Sequence, residues 1–115
     1  MLKGYVFVRQ GIKNLILAAA LGPIVVVSYA SNIFKSYKSG IYSGQGCNYD
    51  KDPNHTSLLY GYNFNTEVPY MLFKNNWGNQ WGDNGYYKVA IGELEDNNYG
   101  HCLIANTPYN TMPIV

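Results

Sequence analysis

Few side chains in this sequence could do chemistry, and they fall into three groups. His55 follows Asn54 and opens the run Leu58-Leu59-Tyr60. Twenty residues later comes Lys74-Asn75-Asn76-Trp77-Gly78, then Trp81-Gly82 and Gly85-Tyr86. An imidazole can take up and return a proton near neutral pH, and a neutral carboxamide can orient it without removing that proton. Cys47 and Cys102 are the two thiols, and Cys47, eight residues before His55, is open to a reading as nucleophile. Plain structural readings stand beside these. A lone His before an apolar strand is commonly a satisfied boundary residue, and paired Trp-Gly motifs suit a packed aromatic turn. His101, beside Gly100, reads as exposed. A zinc site would have only Cys47, His55, His101 and Cys102, with no Cys-x-x-Cys spacing to favour it.

Composition narrows the partners. At 115 residues the chain is the size of one domain with a real core. Hydrophobic residues make up 47% and charged residues 13%, which excludes disorder. Net charge is +1, without a Lys/Arg cluster, so neither nucleic acid nor an acidic membrane surface is expected. Two cysteines are too few for a disulfide-dense miniprotein. Leu15–Val27 carries no charge, yet it falls short of the roughly 20 residues a bilayer needs and is broken by Gly22-Pro23. It reads as a buried helix followed by a buried strand, and not as a signal peptide.

The elements that must position those side chains follow from periodicity. Gly4–Val8 reads as a strand. Lys13–Leu21 reads as a helix, with Leu15, Ile16, Ala19 and Ala20 at helical spacing and Gly22-Pro23 as its stop. The β-branched run Ile24–Tyr29 suits a central strand. Ser31 is placed to cap a short helix over Asn32–Tyr37, with Phe34 and Tyr37 three apart. Extended segments are expected at Gly40–Tyr42, Thr56–Tyr62, Tyr70–Lys74 and Tyr86–Ile91. Polar loop fills Gly44–Asn54 and Gly78–Gly85, and Asn63–Pro69 makes a hairpin-like connection. Leu103–Val115 reads as short extended pieces broken by Pro108 and Pro113. The twelve Tyr favour strands. The sum is one α+β domain dominated by antiparallel strands.

The Lys74–Tyr86 run with Asn54-His55 resembles the Lys-Asn-Ser-Trp-Gly…Trp-Gly…Gly-Tyr and His motifs of papain-like cysteine peptidases. Three further stretches resemble that family's right lobe: Lys3-Gly4-Tyr5-Val6 with Gly22-Pro23-Ile24-Val25-Val26, Phe34…Tyr37…Gly40-Ile41-Tyr42, and Cys102…Ile104-Ala105. The resemblance implies a barrel-like antiparallel sheet with one or two short helices, spanning residues 1–115 as a single domain, with the Cys-bearing left lobe absent. It implies His55 as general base and acid, and Asn75 as acceptor of the His55 Nδ1–H. Trp77 would cover that pair and Trp81 would border the leaving-group side. Asn54, Thr56 and Thr107 would lie toward bound substrate. Cys47 and Cys102 would pair, implying an oxidising compartment such as the secretory path, a lysosome-like vacuole or the outside of the cell. No Cys-Gly-Ser-Cys-Trp-like string occurs, so the nucleophile would come from a left-lobe partner, and the chain alone would be inactive. Peptides or proteins would be the substrates, with no cofactor and no metal. The other reading is a truncated or degenerate lobe serving as a binding module. Asn76 stands where the family has Ser, and Thr56 where it has a small apolar residue. Asn54-His55-Thr56 is also formally a glycosylation sequon, read as a chance occurrence.

Overall fold

In the computed structural model, which describes residues 4–95 and 97–114, the apolar pattern resolves into one sheet with two small helices. The elements are β1 (Gly4–Phe7), α1 (Ile12–Ala19), β2 (Ile24–Ser28), α2 (Asn32–Lys35), β3 (Ile41–Tyr42), β4 (His55–Asn63), β5 (Tyr70–Lys74), β6 (Tyr86–Ala90) and β7 (Thr111–Ile114), with a single 3-10 turn at His101–Leu103. The seven strands lie in the order β1-β7-β2-β4-β5-β6-β3. Every pairing is antiparallel except β3 with β6. The α+β right-lobe expectation is met, with one parallel pair added at the sheet's edge.

Burial explains the elements. In α1 the spacing of Ile12, Leu15, Ile16 and Ala19 presents one buried face. Its C-cap, Ala20, is two residues before Gly22-Pro23, so the helix stops short of the expected Leu21. In β2 the fully buried Ile24 and Val26 alternate with Val25, which is 41% exposed. One face of this strand is core and the other is bare. Ser31 caps α2 by accepting from the Phe34 N–H at 3.0 Å. The helix is one turn long, ending at Lys35 before the expected Tyr37. Leu59, Met71 and Phe73 meet α1 and β2 in the core. Each such side chain contributes roughly 1.5–3 kcal/mol by leaving water. Tyr87 stacks flat on Phe73 at 4.9 Å, and its hydroxyl shares a 2.6 Å hydrogen bond with Ser57 Oγ. Burial raises the Tyr87 phenol far above its ordinary pKa, so it stays neutral.

Two expectations are corrected. Residues 103–110 are not extended. Cys102 and Leu103 adopt left-handed backbone, with φ of 58° and 66°, and the chain turns until β7. The buried Asn110 closes that turn, donating to the Ile104 carbonyl at 2.6 Å and accepting the Val27 N–H at 2.8 Å. Pro113 lies inside β7, opposite Tyr5; β7 meets β2 only at Val25–Thr111, so the missing N–H costs little. The second correction concerns β4, which runs from His55 to Asn63 through a register shift between Leu59 and Gly61, one residue beyond the expected Thr56–Tyr62 at each end.

Candidate functional site

His55 owes its place to β2. It stands opposite Ser28 at the start of β4. The Asn54 N–H donates to the Ser28 carbonyl at 3.0 Å, and Asn54 Oδ1 accepts the Ala30 N–H at 2.7 Å. Asn54 therefore holds the His-bearing strand by clamping backbone. Asn75 follows directly on β5, with its N–H bonded to the Gly85 carbonyl at 2.9 Å. The loop between them turns on glycine. A Cβ at Gly82 would lie 2.9 Å from the Tyr86 carbonyl, and at Gly85 3.2 Å from the Gly78 carbonyl, both in left-handed backbone. The tight loop returns Asn75 and the two indoles to one place.

The Trp77 ring covers the imidazole, with centroids 4.7 Å apart. Trp81 meets Trp77 edge to face at 5.1 Å and donates its Nε1–H to the Lys35 carbonyl at 3.0 Å. Beneath them lies Phe34, whose ring is 5.9 Å from His55, 5.7 Å from Trp77, 5.1 Å from Trp81 and 4.7 Å from Tyr87. Sequence reasoning placed Phe34 on a helix face but gave it no part in the site. The signals for it are its spacing to Tyr37 and its place in the Phe34–Tyr42 stretch that resembles the right lobe.

Burial lowers the His55 pKa below its ordinary value, and the neighbouring Asn75 amide offsets part of that by favouring the protonated ring. Among the described residues, the buried side-chain nitrogens and oxygens left without a hydrogen-bond partner are His55 Nε2 and Asn75 Nδ2. Asn75 Oδ1 is occupied by the Asn76 N–H at 2.9 Å. The amide acts on the ring from close by, yet neither orphan meets hydrogen-bond geometry. The nitrogen sealed against the protein is thus Nε2, which corrects the Nδ1 contact expected from the sequence.

Thr56 shares a hollow of about 240 Å³ with Val25, Leu58, Lys74, Asn75 and Asn76. Thr107 is buried and its Oγ1 accepts the Tyr109 N–H at 3.2 Å, so it caps a turn and does not line that hollow. Cys47 and Cys102 are joined in a disulfide with Cα atoms 5.4 Å apart, leaving neither thiol free as nucleophile or metal ligand. His101 is half-buried against Gly44, not exposed, and burial lowers its pKa. Among the described residues no group of three or more His, Cys, Asp or Glu could hold a metal ion. None of their helices is long and apolar enough to cross a membrane.

Known proteins resemble this chain in sequence and fold. The chain is 44% identical over 72 residues to the oryzain gamma chain of Oryza sativa subsp. japonica, a match covering 62% of this chain and 20% of that protein. It is 42% identical over 81 residues to the thiol protease aleurain-like of Arabidopsis thaliana, covering 67% of this chain and 23% of that one. These matches span about a fifth of each relative's length. The solved structure of the bromelain protease from Ananas comosus, in complex with the E64 inhibitor, superposes with a TM-score of 0.84 at 29% identity. It covers 99% of this chain and 51% of the bromelain chain. The family profile described as papain family cysteine protease matches residues 2–112, and this chain belongs to that family.

Proposed function

We propose that this chain is the His- and Asn-bearing part of a Cys-His-Asn peptidase whose nucleophile comes from a segment outside these 115 residues. The observation that carries the reading is the orphan pair, His55 Nε2 and Asn75 Nδ2, buried beneath Trp77. Buried polar atoms are seldom left unpaired, and a partly open network beside a cleft is a usual mark of catalytic use. His55 takes the thiol proton. The thiolate attacks the peptide carbonyl carbon, and the imidazolium then protonates the amine as the C–N bond breaks. His55 next draws a proton from water, which cleaves the thioester and restores the thiol. Asn75 holds the ring's orientation. Trp77 excludes water and strengthens the contact beneath it. Thr56 lies toward the bound peptide, Asn54 holds the His-bearing strand in place, and no cofactor takes part.

A single lobe of this kind leaves its inter-lobe face wet. Val25 beside Thr56 and Leu58, with Tyr5 and Phe7 on the same face of β1, is the apolar surface that a Cys-bearing partner would cover. The disulfide supports folding in an oxidising compartment, along the secretory path or in a vacuole. The second reading, a non-catalytic binding module, is favoured by both thiols being locked in that bridge. Without a nucleophile, turnover falls on the order of a millionfold.

The test is to purify the native material, weigh it intact, sequence its N-termini and treat it with a thiol-directed epoxide. A co-purifying segment that takes the label, with peptidase activity abolished by His55→Ala, is the expected result. Native material running as a clean monomer with nothing to label would rule out the peptidase reading and leave the module.

A further inference from the structure

Beside the aromatic cluster lies a second hollow of about 270 Å³, walled by Lys35, Tyr37, Lys38, Gln80 and Trp81. Its lining carries two ammonium groups and no carboxylate. Burial raises the Tyr37 phenol's pKa and nearby Asp83 adds to that, but Asp83 lines the adjoining hollow with Tyr60 and Tyr86. The walls are fixed. Trp81 Nε1–H is bonded to the Lys35 carbonyl, and the Tyr37 hydroxyl donates to the Gly40 carbonyl at 2.6 Å. Lys35 and Lys38, three residues apart at the end of α2, therefore share one rim.

The hollow is close to the candidate catalytic pair. Successive ring-centroid distances of 4.7 Å, from His55 to Trp77, and 5.1 Å, from Trp77 to Trp81, bound the gap between the imidazole and its Trp81 wall. An extended peptide advances about 3.3 Å per residue, so at most roughly three residues bridge that gap.

We propose that the Lys35–Lys38 groove is a specificity site that takes a carboxylate of the bound peptide, within about three residues of the reacting carbonyl on the Trp81 side. Its place in the reaction rests on the peptidase reading; its capacity to bind does not. The carboxylate can be an acidic side chain or the peptide's own C-terminus. Both sources present the same planar anion to two solvated ammonium groups. Exposed pairs of this kind are individually weak, so the preference is several-fold and screened by salt.

The experiment follows this chain, labelled with ¹⁵N, as short peptides are added. Three peptides are compared: one with acidic side chains and an amidated end, one neutral with a free carboxylate, and one neutral and amidated. The chain has two tryptophans, so the Trp81 indole signal is readily resolved. The expected result is movement of that signal and of the Lys35 and Lys38 amides, with a carboxylate-bearing peptide binding about five-fold tighter than the fully neutral one. Whichever carboxylate-bearing peptide binds tighter identifies the source. The Lys35→Gln/Lys38→Gln variant and 0.5 M salt should each erase the difference, while Lys13→Gln keeps it. Equal binding by all three peptides, a still Trp81 signal, or an unaltered double variant overturns the proposal. His55→Ala should leave both binding and the carboxylate preference intact, so this test is read without any peptidase activity and failure of the catalytic reading would not alter its outcome.

Discussion

Phe34 is where fold and site depend on one side chain, and removing it should damage both. Its ring is 4% exposed and lies between 4.7 and 5.9 Å from five other rings: Tyr42, His55, Trp77, Trp81 and Tyr87. A Phe→Ala change in a packed core costs about 3–5 kcal/mol, the upper half applying where neighbours cannot collapse inward. Here they cannot collapse freely: Tyr87 is pinned by Ser57, and Trp81 by the Lys35 carbonyl. A domain of this size is stable by about 5–15 kcal/mol, so the change removes a quarter or more of the total. At about 4 °C per kcal/mol, Phe34→Ala should lower the melting temperature by roughly 12–20 °C. Phe34→Leu keeps most of the volume and should cost about 1–2 kcal/mol. Thermal unfolding followed by far-ultraviolet circular dichroism gives the stability, and the two indole proton signals report the site. If Phe34→Ala melts within about 3 °C of the parent, the ring is not the support argued here and the indoles are held by their loop alone.

Other changes test separate links. Asn110→Ala leaves the Val27 N–H and the Ile104 carbonyl without partners and should cost about 2–3 kcal/mol in denaturant unfolding. Replacing Cys47 and Cys102 together by Ala opens a loop of 55 residues and should cost up to about 4 kcal/mol in the chain-entropy account, read from the same melts. The lowered pKa of His55 means that the unfolded chain binds its proton first as pH falls. Stability should therefore be level above about pH 7, decline as pH drops through the unfolded value near 6.5, and flatten below the folded value. His101 shifts the same way, so His101→Gln should keep part of this slope and the double variant with His55→Gln should lose it. Histidine ring-proton titration by NMR should place the His55 midpoint below 6.5.

Local signals carried much of the fold because they coincide with burial. The Leu15-Ile16-Ala19 spacing, the Gly22-Pro23 stop and the β-branched Ile24–Val27 each name an element that the core then uses. His55 and Asn75 were legible from the motifs around them, and Gly82 and Gly85 show why those motifs carry glycine. Apart from the Cys47–Cys102 pairing, which the resemblance implied and the structure contains, long-range bonding was not legible. The turn at 102–103 has no glycine to announce its left-handed backbone, and it is held by partners far along the chain: the Cys47 bridge, the Tyr29 N–H on the Cys102 carbonyl, and the Tyr49 hydroxyl on the Cys102 N–H. Asn110 reaches 83 residues back to β2. Nothing local marks a carboxamide for that task. The choice between the two imidazole nitrogens was equally hidden, because it depends on how β4 turns the ring toward Asn75.

The state of His55 bears on the division of labour between the two parts of the proposed machine. Burial favours the neutral imidazole, and Asn75 offsets only part of that preference. A standing thiolate–imidazolium pair needs the opposite, a ring that holds its proton. Burial and the Asn75 amide are the influences on His55 and neither is a charge, so on the proposed reading the compensating charge would arrive with the nucleophile. A thiolate brought within about 4 Å of the ring would favour the protonated form, and the ring would in turn lower the thiol's pKa; the two titrations belong to the pair. On the proposed reading this lobe by itself would provide a neutral base, and the charged form would arise on assembly. Such an arrangement would confine the reactive ion pair to the completed cleft, beneath Trp77.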